Sequence, residues 1–230
     1  LLAAHRERVR ERIQAQKTVL LIQDGSDLNF LTHRACADMG MIAQNKQSAG
    51  TRGLHAHSTY VVTQSGLPLG VAAIAFDRNA IATTPEDKAR KGTKKPDRWI
   101  RGLADSADLV HGLTDVRSVA VMDREGDDFA IFDAHRRLNS ALHLLVRVRQ
   151  DRTLGTQKLF ASLRERPPHH HVTLTVPRLS ARAGGKGQKA KEGRTAREAA
   201  CGVRWRSVTL PVPRDRKEEF GAIPLSPGRS

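Results

Sequence analysis

Cysteine is nearly absent. The 230-residue chain has two, Cys36 and Cys201. They are too few for a disulfide framework and are not spaced as C-x-x-C, so both read as reduced residues of a cytoplasmic protein. Aromatic residues make up only 4%. The core must therefore rest on Leu, Val, Ile and Ala, with little material for the stacking platforms of single-strand binders. Long apolar runs are also missing: the longest are Val19-Leu20-Leu21-Ile22 and residues 71–76, far short of a membrane span. The start, Leu1 followed closely by His5, Arg6 and Arg8, lacks the pattern of a signal peptide and reads as a piece of a longer reading frame.

What the chain has in excess is positive charge. Lys plus Arg number 39 against 24 Asp plus Glu, a net charge of +15. Such an excess attracts polyanions and carries no information about fold. Nucleic acid is the first partner it suggests and an anionic membrane surface the second.

Along the chain, residues 1–16 read as a surface helix, with Leu2, Val9 and Ile13 at helical spacing. Residues 18–22 form a short run that is apolar on both faces, as in a central strand covered on both sides, and the run ends at Gln23-Asp24-Gly25. Residues 57–64 and 67–76 read as two strands of a hairpin turning at Ser65-Gly66. Pro96 suits the first turn of a helix, along which Trp99, Leu103, Ala107 and Val110 make one apolar stripe for core packing. Residues 116–122 form another strand ended by Asp123, then a helix from Gly126 to about residue 139 with Asp127 as N-cap. A fifth strand covers 142–148. After residue 150 the texture changes. Strand-like runs at 172–176 and 203–212 flank residues 181–200, which are rich in Gly, Lys, Arg and Ala and read as a mobile loop.

Two of these strands close on an aspartate, Asp24 and Asp123. Open α/β sheets bind ligands at the carboxyl ends of their strands. If the two strands are neighbours, both carboxylates enter one small space and repel, and a divalent cation relieves the conflict. Two such ions could clamp an in-line phosphodiester displacement. Asp also favours turns, so the pattern alone leaves the metal site and a plain strand-ending residue both open.

The flanking residues carry more. Leu21-Ile22-Gln23-Asp24-Gly25-Ser26-Asp27-Leu28-Asn29-Phe30 resembles the first-aspartate segment, (E/Q)-D-T-T, of the Tn-five-like DDE transposases of bacterial insertion sequences. Val119-Ala120-Val121-Met122-Asp123-Arg124-Glu125-Gly126-Asp127 resembles their second-aspartate segment, D-R-E-(A/G)-D. Leu54-His55-Ala56-His57-Ser58, Arg98-Trp99-Ile100 and Leu144-Leu145-Val146-Arg147 resemble a strand start, a helix and a strand end of the same family, in the same order. The resemblance spans residues 1–150 and, more loosely, 150–212.

It implies an α/β RNase H-like core over 1–150, a mixed five-stranded sheet with helices on both faces, followed by a β-rich basic insertion over 151–230. It implies Asp24 on the first strand and Asp123 on the fourth, adjacent and parallel, as catalytic ligands of Mg²⁺, with Mn²⁺ as substitute. The family nicks DNA at transposon ends, closes a hairpin with the freed 3′ hydroxyl, reopens it with water and joins the end to target DNA, without a covalent enzyme intermediate. Its enzymes act as dimers on double-stranded DNA, in the bacterial cytoplasm at the nucleoid.

The chain departs from the family in three ways. Gly25 stands where the first Thr is usual, although Ser26 keeps a hydroxyl next to it. The third acidic residue, in Y-x-x-R-x-x-x-E-x-x-x-x-x-x-K, has no counterpart, and Arg216-Lys217-Glu218-Glu219-Phe220 is a decoy followed by Gly221 and Pro224. The family's amino-terminal DNA-binding domain is missing. The expectation is a truncated catalytic core that is inactive alone. The alternative is a non-catalytic DNA-binding or inhibitory remnant. A generic RNA-binding protein has no recognisable motif behind it.

Other residues sort as follows. Arg147, Arg149 and Arg152 near the sheet rim, and Lys186, Lys189, Lys191 and Arg194 in the basic loop, are candidate phosphate contacts, with solvated charge as the alternative. Glu125 reads as a surface residue and Asp27 as a turn residue. His169-His170-His171 cannot converge on one ion from adjacent loop positions. His55 and His57 alternate along a strand, one inward and one outward. Trp99 and Trp205 read as core and insertion-sheet residues.

Overall fold

The computed structural model describes residues 2–30, 52–77, 95–138, 140–184, 190–214, 217 and 220–226. Two compact units emerge. Leu1–Gln150 with Val212–Ile223 form the first, and Asp151–Pro211 with Pro224–Ser230 the second.

The first unit begins with α1 (Leu2–Gln14) and continues through β1 (Thr18–Asn29), β2 (Gly53–Thr63), β3 (Pro68–Asp77), α2 (Lys95–Leu109), β4 (Arg117–Met122), a single 3-10 turn (Arg124–Gly126), α3 (Phe129–Leu138) and β5 (His143–Val146). The five strands make one mixed sheet in the order β3-β2-β1-β4-β5. β2 runs antiparallel to β1 and β3, while β4 runs parallel to β1 and β5 parallel to β4. The β2–β3 hairpin closes through Gly66, whose φ of +88° suits a residue without Cβ. Its backbone N–H donates to Thr63 O at 3.0 Å.

Register sorts the strands into two faces, because successive side chains alternate. Val19, Leu21 and Gln23 of β1 share a face with Thr59 and Val61 of β2 and with Ala120 and Met122 of β4. On this face the core closes. Val9 and Ile13 of α1, Trp99, Leu103 and Ala107 of α2, and Ile131 of α3 all join Val19, Leu21, Val61 and Ala120 in one buried cluster. Burying a side chain such as Leu103, which is fully enclosed, contributes about 1.5–3 kcal/mol. The stripe read along α2 therefore packs as anticipated.

The other face differs from expectation. Helices on both faces were implied, yet among the described residues α1, α2 and α3 all supply the one core. On the reverse side Tyr60, Ile74, Phe76 and Leu145 are exposed and Leu20 and Ile22 are half-buried.

Three local expectations also need correction. β1 does not end at Gly25: it stays paired with β2 as far as Asn29↔Gly53, so Asp27 is a strand residue and not a turn residue. The N-cap of α3 is Asp128, whose Oδ1 accepts from Ala130 N at 2.9 Å. Asp127 has another task, described below.

In the second unit come β6 (Thr153–Leu154), β7 (Gln157–Lys158), α4 (Leu159–Arg164), β8 (His170–Val176), β9 (Arg197–Val203) and β10 (Val208–Leu210), with β11 (Ile223–Leu225) at the boundary. β8 and β9 form a two-stranded antiparallel ribbon from His170↔Val203 to Val176↔Arg197. The pairing goes on beyond the strands as bridges Leu179↔Arg194 and Arg182↔Lys191. The segment expected to be a mobile loop is thus largely the distal half of a ribbon. The run expected at 203–212 is split, with the main strand lying before it. Among the described residues no helix is long and apolar enough to cross a membrane.

Candidate functional site

The parallel pairing of β1 and β4 decides where the two aspartates stand. Thr18↔Arg117 begins the register and Ile22↔Val121 ends it. Asp24 and Asp123 each follow two residues later, level with one another just past the β1–β4 pairing, Asp24 within β1 and Asp123 directly after β4. By alternation both belong to the face of Ile22 and Val121, opposite the core. Both are exposed.

Each carboxylate is tied to its own turn of chain. Asp24 Oδ1 accepts from Gly25 N at 2.8 Å, and Asp123 Oδ1 accepts from Glu125 N at 2.8 Å as the cap of the 3-10 turn. The second oxygen of each makes no hydrogen bond among the described residues. Two hard oxygen donors, open to water, suit one Mg²⁺ or Mn²⁺ that keeps several waters. Among the described residues no group of three or more His, Cys, Asp or Glu could hold a metal.

Beneath Asp24 lies a buried polar cluster that the sequence did not single out. Gln23 is 2% exposed and reaches α2. With its amide oriented so that donors meet acceptors, its nitrogen donates to Trp99 O and to His57 Nε2, both at 3.2 Å, and its oxygen accepts from Leu103 N at 3.2 Å. Gly102 makes room: a Cβ there would stand 2.6 Å from the Gln23 amide and 3.4 Å from His57 Nε2. The edge of Trp99 meets the His57 ring, with centroids 4.7 Å apart. Burial, reinforced by His55, Arg101 and Arg98 and opposed by Asp24, pushes His57 down to about 4. It is therefore neutral at pH 7, as an acceptor for Gln23 must be.

His55 and His57 do not point to opposite sides. Residues two apart on a strand share a face, and their rings stack 6.5 Å apart. His55 Nδ1 meets Asp27 Oδ1 at 2.8 Å. A Cβ at Gly25 would come within 2.8 Å of the His55 ring, which gives the unexpected glycine a steric reason.

Asp127 fixes the neighbouring rim. It is 2% exposed, and its Oδ2 accepts from Arg149 N at 2.6 Å and Gln150 N at 3.0 Å. Arg147 N donates to Met122 O at 3.0 Å. The backbone after β5 is thereby pinned beside Asp123, leaving the Arg147 and Arg149 side chains exposed. Arg152 belongs to the second unit, as do Lys191 and Arg194 on the ribbon. Lys186 and Lys189 lie outside the described residues, as do Cys36, Arg216, Glu218 and Glu219.

Glu125 is exposed, as expected. Trp99 is a core residue at 3% exposure. Trp205 stands outside the strands, 42% exposed and stacked on His169 with centroids 4.4 Å apart. An open recess of about 470 Å³ lined by Lys17, Thr18, Asp115, Arg117 and His143 lies at the amino ends of β1, β4 and β5, the pole opposite Asp24 and Asp123.

Profiles of known protein families give no match to this chain, and neither do curated proteins. Among solved structures, the chain is similar to one in "Crystal structure of the Mos1 Strand Transfer Complex", at 14% sequence identity and a TM-score of 0.27, over 63% of this chain and 41% of that one. This chain thus spans about two-fifths of the length of that neighbour.

Proposed function

We propose that the chain is the catalytic-core part of a DDE-type DNA transposase with an RNase H-like sheet, in which Asp24 and Asp123 hold one divalent cation against a DNA phosphate. The observation behind this reading is the parallel β1–β4 register, which sets both aspartates level with one another on neighbouring strands. The order β3-β2-β1-β4-β5 sets the first and fourth strands side by side in a mixed five-stranded sheet, as the resemblance implied, and the sequence segments around both aspartates resemble the family's own.

A bound Mg²⁺ would supply polarisation of the phosphodiester and activation of a water or 3′ hydroxyl. The remaining work falls to this chain's residues. Asp24 and Asp123 supply negative charge and coordination. Gln23, bonded to α2 and His57, holds the end of β1 in place. Asp127 holds the backbone from which Arg147 and Arg149 project, and these cations would approach the DNA backbone without reading its sequence.

The two-carboxylate set favours a second reading as well: a DNA-binding protein that does not cut unaided, because no third ligand accompanies the pair among the described residues. Incubating the chain with nicked and intact duplex DNA and Mg²⁺ separates the two. Cleavage that disappears with Asp123→Ala supports an active core. Binding without cleavage, alongside retained Mn²⁺ binding, supports the non-cutting form. Failure to bind both DNA and cation removes the proposal.

A further inference from the structure

No residue of either strand of the β8–β9 ribbon is buried, and only Val172, Val176, Ala199 and Cys201 are half-buried. Leu174 and Leu179 are 52% and 44% exposed. An isolated two-stranded hairpin is at best marginally stable in water, and this one encloses no apolar residue fully. Its charge is one-sided as well. Along the described part between residues 178 and 197 it carries Arg178, Arg182, Lys191, Arg194 and Arg197 against the single acid Glu192. Glu198, next along, is occupied by the Thr175 hydroxyl at 2.8 Å. Among the described residues none of the five cations forms an ion pair.

The pairing sets like charge against like charge. Arg182 and Lys191 exchange both backbone hydrogen bonds at 2.9 Å, which places them directly opposite each other. Like charges directly opposite across an antiparallel pair are destabilising. A polyanion laid against them reverses the sign of that interaction.

We infer that this ribbon is a DNA-binding arm that enters the major groove of duplex DNA, with Arg178, Arg182, Lys191, Arg194 and Arg197 meeting the phosphates of the groove walls. The shape argues for duplex DNA in particular. A two-stranded ribbon fits a B-form major groove about 12 Å wide, whereas the major groove of A-form RNA is too deep and narrow for side chains to enter. The inference extends the DNA reading above but does not depend on a metal at Asp24 and Asp123.

The test uses the full chain and a short mixed-sequence duplex. Binding is followed by fluorescence anisotropy across salt concentrations, and guanine N7, which faces the major groove, is probed with dimethyl sulfate. Replacing Arg182→Ala together with Lys191→Ala should lower the slope of log affinity against log salt by about 1.8, at roughly 0.9 for each phosphate no longer neutralised. It should also remove N7 protection. The charge-conserving Arg182→Lys should keep the slope. An unchanged slope, N7 protection that survives the double substitution, or tighter binding to duplex RNA or to anionic vesicles overturns the arm. If the arm behaves as stated while Mn²⁺ fails to bind the wild type, only the metal reading falls.

Discussion

Replacing Gly102 with alanine sets two effects of opposite sign against each other. In an exposed helix interior Gly→Ala stabilises by about 1 kcal/mol. Here the new Cβ would stand 2.6 Å from the buried Gln23 amide and 3.4 Å from His57 Nε2. The amide cannot retreat without giving up its bonds to Trp99 O, Leu103 N and His57. Overpacking of this kind costs about 1–3 kcal/mol, and a buried amide left unsatisfied costs about 1–3 more. Steric and polar losses therefore win, for a net destabilisation of about 1–5 kcal/mol after the helix gain is subtracted. Urea denaturation of Gly102→Ala should show that loss as a lower midpoint at unchanged slope. In a Gln23→Ala background the clash has no target, so the same substitution should become neutral or stabilising, a coupling of about 1–3 kcal/mol between the two sites. A Gly102→Ala protein more stable than wild type, or additive effects in the double variant, would refute the reasoning.

Other outcomes follow from the same geometry. Asp127→Ala strands the N–H groups of Arg149 and Gln150 and should cost about 2–4 kcal/mol, measured by chemical denaturation, with Asp127→Asn losing less. His57 titrates near 4 when folded and near 6.5 when unfolded, so the unfolded chain binds more protons between those values. Stability should accordingly fall as pH drops through that window, by at most about 3 kcal/mol. His57→Gln should flatten this part of the pH profile, and an unchanged profile would contradict the burial argument. Leu103→Ala, emptying a fully enclosed site on α2, should cost about 2–5 kcal/mol in the same assay.

Much of the sheet was legible because its signals are local. The apolar run of β1, the Ser65-Gly66 turn and the α2 stripe each announce an element within a few residues. Asp123 could be placed at a strand end for the same reason, whereas Asp24 lies within β1. What escaped depends on partners distant in sequence. The polar stretch from Gln23 to Asn29 resembles a turn and becomes strand only because β2 lies along it. Gln23 looks like an ordinary polar residue until Gly102, 79 positions later, leaves room for its amide. Asp127 precedes a helix and so resembles a cap, yet its partners are backbone N–H groups past β5. The Gly-, Lys- and Arg-rich segment has too few apolar residues to signal a strand, and its described parts are placed by cross-strand backbone pairing.

The most direct measurement of the central claim is anomalous X-ray scattering from crystals of this chain grown with Mn²⁺. The account predicts one peak shared by the Asp24 and Asp123 carboxylates, about 2.1 Å from an oxygen of each, that vanishes in Asp24→Asn. A peak bound to other residues, or none beside these two in wild-type crystals that carry Mn²⁺ elsewhere, would contradict it.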